Sequence, residues 1–144
     1  MLKKTFALLF LLVLYSILGY GQNISHYEKI VNTTTNKQKK LTALDSLLKR
    51  TYSKDTDAFI KYSLQYIDLA QELDSIELAA KKAMNLQYPL TNYANDPLNA
   101  ITVINSVLAR KYKIKDSLLL GGLYMKRGSA NTKVDLKIFL QKTQ

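Results

Sequence analysis

From Leu41 onward apolar residues recur every three or four positions, the period of a helix with one buried face. Leu41, Leu44, Leu47, Leu48 and Thr51 make the first stripe. Asp55–Asp57 supplies a turn and an N-cap, and Phe59, Tyr62, Tyr66, Leu69, Ala70 and Leu73 then form a second stripe. That helix carries a further apolar row, Ile60, Leu64 and Ile67, displaced by about 100°. A surface helix needs only one stripe, so two rows predict a helix covered on two sides.

Asp74-Ser75-Ile76-Glu77 has the form of a capping box, with Asp74 as cap and Glu77 three residues on. The helix behind it shows an alanine-lined face, Ile76, Ala79, Ala80, Ala83 and Leu86, suited to close packing. Pro89 ends or kinks it, because proline removes one backbone donor and clashes with the preceding turn. Asp96 as cap with Pro97 at the first helical position restarts the chain. Leu98, Ile101, Ile104, Val107 and Leu108 continue that helix. Arg110–Lys115, RKYKIK, then places positive charge at its C-terminus, where the helix dipole favours it.

Asp116-Ser117 opens the next helix with N-cap chemistry. Within it lies Leu120-Gly121-x-x-Tyr124-x-x-x-Gly128. Gly121 and Tyr124 fall on nearly one face, the small residue admitting a neighbouring helix and the ring filling the space beside it. Gly128 is expected to end the helix in a left-handed conformation. Val134, Leu136, Ile138, Phe139 and Leu140 follow as an ill-phased apolar run.

The N-terminal segment differs from all of this. Residues 1–21 combine a basic start at Lys3 and Lys4, a 13-residue stretch Phe6–Leu18 that is apolar apart from Ser16, and Gly19 and Gly21 before Gln22. Those are the parts of a secretory signal peptide, and the core is shorter than the about 20 residues a bilayer span needs. The alternative is an uncleaved N-terminal membrane anchor. Residues 22–40 lack apolar periodicity and read as a flexible basic lead-in, with room for one helical turn around Tyr27–Val31. The expected organisation is therefore signal peptide 1–21, lead-in 22–40 and helical-repeat domain 41–144, its last repeat incomplete.

The Leu120–Gly128 spacing resembles the first helix of a tetratricopeptide repeat (TPR), and Ala100 lies at the close-contact position of a repeat helix one unit earlier. Leader and helical pairs together resemble exported TPR proteins, particularly the N-terminal periplasmic sensor segments of bacterial two-component histidine kinases. The resemblance implies an all-α fold of antiparallel helical hairpins stacked as a short solenoid of about five to six helices. It also departs from the family: Lys133 and Lys137 stand where a small and an aromatic residue are expected, and no kinase motif is present. By the resemblance the first helix of each pair lines a concave groove, with Lys115, Leu118, Gly122, Met125 and Lys126 at the groove positions. That mix suits an acidic or amphipathic peptide. The implied role is an exported, periplasmic or secreted, interaction or scaffold module. The alternatives are a basic peripheral-membrane protein and a remnant of a longer receptor.

Composition narrows the chemistry. The chain has no cysteine, which excludes disulfides and cysteine-ligated metal sites, and five glycines and two prolines in 144 residues suit helices. The formal charge is +10, and removing Lys3 and Lys4 lowers it to +8. Such a surplus attracts acidic partners and anionic surfaces, and equally keeps a protein soluble. The one histidine, His26, lies in the lead-in without a positioned partner, so solvation is its expected state. Asp55 and Asp57 lack the further oxygens of a calcium loop. Ser106, Ser117 and Ser129 lack a nucleophile elbow, and Gly121-Gly122 lacks the Walker lysine. No enzyme and no cofactor are expected. Tyr52 and Tyr112 lie beside lysines, an arrangement compatible with base stacking, but export argues against nucleic acid as partner.

Overall fold

The computed structural model describes residues 24–142. The leader falls outside these residues. Every described element is helical: α1 (24–33), α2 (Lys37–Thr51), α3 (Thr56–Glu72), α4 (Ile76–Tyr88), a π-helical turn (Pro89–Tyr93), α5 (Pro97–Leu108), a 3-10 turn (Lys111–Lys113) and α6 (Ser117–Lys142). The protein is all-α, and from α3 onward helices adjacent in the chain pack on one another. Two compact units divide at Arg50/Thr51.

In the first unit, α1 corrects the expectation of a flexible lead-in. Residues 24–33 are helical, and Ile24, Tyr27 and Val31 recur on one face over a stretch too short and polar for its period to stand out. The Arg50 guanidinium lies 4.6 Å from the centre of the Tyr27 ring, joining α1 to the end of α2 by a cation–π contact. Asn36 starts α2, its Oδ1 accepting from the Lys39 backbone N–H at 2.9 Å. His26 sits exposed on α1 with its ring edge-on to Tyr27.

The second unit is built around α4, which packs against α3, α5 and α6. Its Ala79, Ala80 and Ala83 are fully buried, so neighbouring backbones approach closely where a larger side chain would hold them apart. Around them close Ile67 and Ala70 of α3, Ala100, Ile104 and Val107 of α5, and Leu119 and Leu123 of α6, all buried. Of the additional row on α3, Ile67 is buried and Ile60 and Leu64 are half-buried.

Start signals behave as their chemistry dictates. Asp55 accepts from Ala58 N–H (2.9 Å), Asp96 from Asn99 N–H (3.1 Å), and Asp116 from Leu118 and Leu119 N–H (2.9 and 3.1 Å).

The capping box at Asp74 does not form. Asp74 adopts φ 57° as the left-handed residue that ends α3, with Asp74 N–H bonded to Gln71 C=O and Ser75 N–H to Ala70 C=O. Ser75 becomes the N-cap residue of α4. Both carboxylates reach instead to the connector between α5 and α6. Lys113 Nζ donates to Asp74 Oδ1 at 2.6 Å, Arg110 donates to Gln71 C=O at 2.7 Å, and Glu77 Oε1 accepts from the backbone N–H of Lys115 at 2.9 Å. The basic connector therefore serves the C-terminus of α3 rather than only that of α5.

Gly128 does not end its helix. α6 runs 26 residues without interruption, and no described glycine has positive φ. A glycine inside a helix costs only about 1 kcal/mol relative to alanine, and no proline or cap follows it. Thr132 Oγ1 donates to Gly128 C=O (3.1 Å), and Ala130 is buried two residues on.

Two outcomes follow from these placements. A Cβ at Gly128 meets nothing within 4 Å, so Gly128→Ala should raise the thermal midpoint, by the equivalent of about 0.5–1 kcal/mol. A left-handed helix stop would give a loss instead. For Asp74, the hydrogen bond from Lys113 holds the carboxyl below its ordinary value of 3.8, with the Lys113 and Arg110 charges adding to the effect. A depressed carboxyl contributes stability above its unfolded value and loses it as pH falls through the folded one. Asp74→Asn, which keeps a side chain tolerant of the left-handed conformation, should lower the midpoint at pH 7. Its difference from wild type should shrink below about pH 4, a window read by paired melts.

Candidate binding groove

Pro89 shapes a concavity of the second unit. Its missing N–H and its ring prevent α4 from continuing in α-geometry, and the backbone widens into the π turn, closed by Ala94 N–H to Pro89 C=O at 3.0 Å. Buried Thr91 holds the turn from inside, its Oγ1 donating to Gln87 C=O at 2.9 Å and accepting from Gln87 Nε2 at 3.3 Å.

The wider turn has a consequence for side chains. Residues five apart on an α-helix point about 140° away from each other. Across the π turn, Tyr88 and Tyr93 come together with ring centroids 5.5 Å apart and planes at 81°. The two rings form a corner. Tyr52 stands edge-on to Phe59 at 5.3 Å, and Tyr52, Tyr88 and Tyr93 remain 68%, 53% and 65% exposed.

These three tyrosines, with Ser53, Thr56, Met84, Asn85, Pro89 and Lys126, line a groove of about 540 Å³. That lies within the roughly 300–1,000 Å³ of small-ligand sites. Among the described residues Lys126 is the only charged one in the lining, and no carboxylate belongs to it. The side chains of Ser53, Thr56, Asn85 and Lys126 make no hydrogen bond or ion pair among the described residues. The groove thus offers aromatic faces, uncommitted donors and one cation. It contains no nucleophile paired with a base, and among the described residues no cluster of three or more His, Asp or Glu is placed to hold a metal.

The residues singled out from the sequence are distributed differently. Of the proposed groove positions, Lys126 lines this groove and Gly122 borders it through Met84, whose Cε would lie 2.6 Å from a Cβ at position 122. Leu118 and Met125 project to solvent, 86% and 67% exposed, and do not line it. Lys115 lies in a separate shallow concavity beside Asp74, Glu77 and Lys113.

The packing positions also shift. Ala100 is buried and Leu120 half-buried, but Gly121 meets open space, so the close helix approach falls at Gly122. Tyr124 is 38% exposed rather than packed beside a glycine, with the Arg127 guanidinium 5.1 Å from its ring centre and its hydroxyl 3.4 Å from Lys111 Nζ. Tyr88 and Tyr93 were not anticipated. The available signal was an aromatic immediately before Pro89 and another five residues later.

Comparison with family models, with curated proteins and with solved structures finds no match to this chain. Among the described residues no helix is long and apolar enough to cross a membrane.

The Gly122–Met84 contact is checkable. Gly122→Ala should displace the Met84 methyl toward the groove, seen as a shift of its methyl NMR signal. Gly121→Ala, which meets no neighbour, should leave that signal in place.

Proposed function

We propose that this protein is an exported, non-enzymatic interaction module of TPR type that holds a peptide segment of a partner protein. The observation that carries the reading is the preformed groove at the π turn, with three exposed tyrosines, free donors and a single lysine. Exposed aromatic residues fixed on rigid elements are the usual anchors of peptide recognition, because they supply contact area while losing little side-chain freedom. Antiparallel helices packed through the small residues Ala79, Ala80 and Ala83 support the helical-repeat part of this reading. The leader composition of residues 1–21 supports export, and the excess of basic residues supports a partner that is acidic overall.

Two measurements test this. A random peptide library displayed on phage and panned on the immobilised full chain should yield sequences that a Tyr88→Ala/Tyr93→Ala variant no longer retains. No enrichment, or enrichment that the variant keeps, removes the groove as the binding surface. For export, the mature N-terminus read by mass spectrometry after expression in a bacterial host should be Gln22. An intact leader would favour the membrane-anchored alternative.

A further inference from the structure

We infer that the groove takes a proline-rich segment in the extended polyproline-II conformation, flanked by acidic residues. This rests on the interaction reading above and specifies its ligand.

The first argument is the shape of the aromatic surface. Tyr88 and Tyr93 meet at 81° with centroids 5.5 Å apart, leaving a corner of two ring walls. A proline ring is flat-sided, apolar and already rigid, so it fills such a corner with little loss of freedom. Aromatic-lined grooves bind proline-rich segments for this reason. Tyr52, held edge-on to Phe59, provides a further wall along the same groove.

The second argument is hydrogen bonding. A polyproline-II strand has no internal hydrogen bonds, so its carbonyls need donors from the protein. Ser53, Thr56 and Asn85 have side chains uncommitted among the described residues, and the tyrosine hydroxyls add others. A helical ligand would bring its backbone already satisfied and would need a long apolar trough. The donors of Ser53, Thr56 and Asn85 would then be unused.

The third argument is charge. Lys126 is the one charged residue of the lining among the described residues, on a chain of formal charge +10, so an acidic residue beside the prolines gains an ion pair and a basic one is repelled. An oligosaccharide could stack on the same rings. Its vicinal hydroxyls are best met by carboxylate acceptors, however, and among the described residues no Asp or Glu lines the groove.

The test is fluorescence anisotropy on the full chain with three labelled synthetic peptides, repeats of Glu-Pro-Pro, Lys-Pro-Pro and Glu-Gly-Ser, with chito-oligosaccharide as competitor. The Glu-Pro-Pro peptide should bind saturably and on the order of tenfold or more tighter than the other two. Tyr93→Ala should weaken it by a similar factor, as loss of an aromatic anchor does. Lys126→Gln should weaken it about two- to fivefold, the size of an exposed ion pair, and should narrow the gap to Lys-Pro-Pro. Thermal melts of both variants establish that the fold is retained.

Equal binding of Glu-Gly-Ser overturns the inference in favour of charge alone. Oligosaccharide that binds in a Tyr93-dependent way while the peptides do not overturns it in favour of a sugar site. If none of the defined peptides binds but the phage library yields Tyr88/Tyr93-dependent sequences of other composition, this inference falls and the interaction reading stands. If the library also yields nothing, both fall.

Discussion

Everything in the second unit depends on how closely helices can approach α4. Ala79, Ala80 and Ala83 present almost no side chain, so α3, α5 and α6 all pack on one thirteen-residue helix. Such a seam stabilises mainly through the number of atoms it brings into van der Waals contact, each worth little and many together worth much. It also fixes geometry, because a close-packed interior has two ways to respond to added volume, strain or displacement, and neither is cheap. The large residues that surround the alanines, among them Ile67, Ile104, Val107 and Leu123, take their positions from that spacing.

The same helix is held differently at its two ends. At its N-terminus, Asp74 and Glu77 tie the α3–α4 turn to the connector that leads into α6, through Lys113 and the backbone of Lys115. At its C-terminus, Pro89 converts the last turn into a π turn whose interior Thr91 satisfies. Charged pairs thus gather where the chain must be fastened. The other end is left with neutral aromatic and hydroxyl groups and the single charge of Lys126. Single π turns inside helices often occur at functional positions; here the reason is visible, since only the wider turn brings Tyr88 and Tyr93 onto one side.

How much of this was legible in the sequence depends on the range over which each interaction acts. Apolar periodicity is local, so α2 to α5 and the all-α class could be read directly, as could the caps at Asp55, Asp96 and Asp116. Asp74 misled because its capping-box spacing is genuine, but the left-handed end of α3 and the cations at 110 and 113 compete for the same residue. Gly128 misled for a related reason: a glycine permits a helix stop and does not compel one, and buried Ala130 lies on the far side of it. α1 was missed because ten residues with few apolar positions carry little periodic signal, and its contact with Arg50 is distant in sequence. Among the candidate groove positions, only Lys126, with Gly122 through Met84, meets the groove, since which side of α6 faces α4 is decided by tertiary packing.

Tyr88 and Tyr93 show the limit most clearly. Read at helical period they point apart, and neither belongs to an apolar stripe, so both look like incidental surface aromatics. Their pairing exists only because a proline changes the number of residues per turn over five positions. A local exception to helical geometry is therefore what converts two scattered tyrosines into a single recognition surface. The alanine seam matters to this in turn, because it packs α4, the helix from which the π turn departs, against α3, α5 and α6.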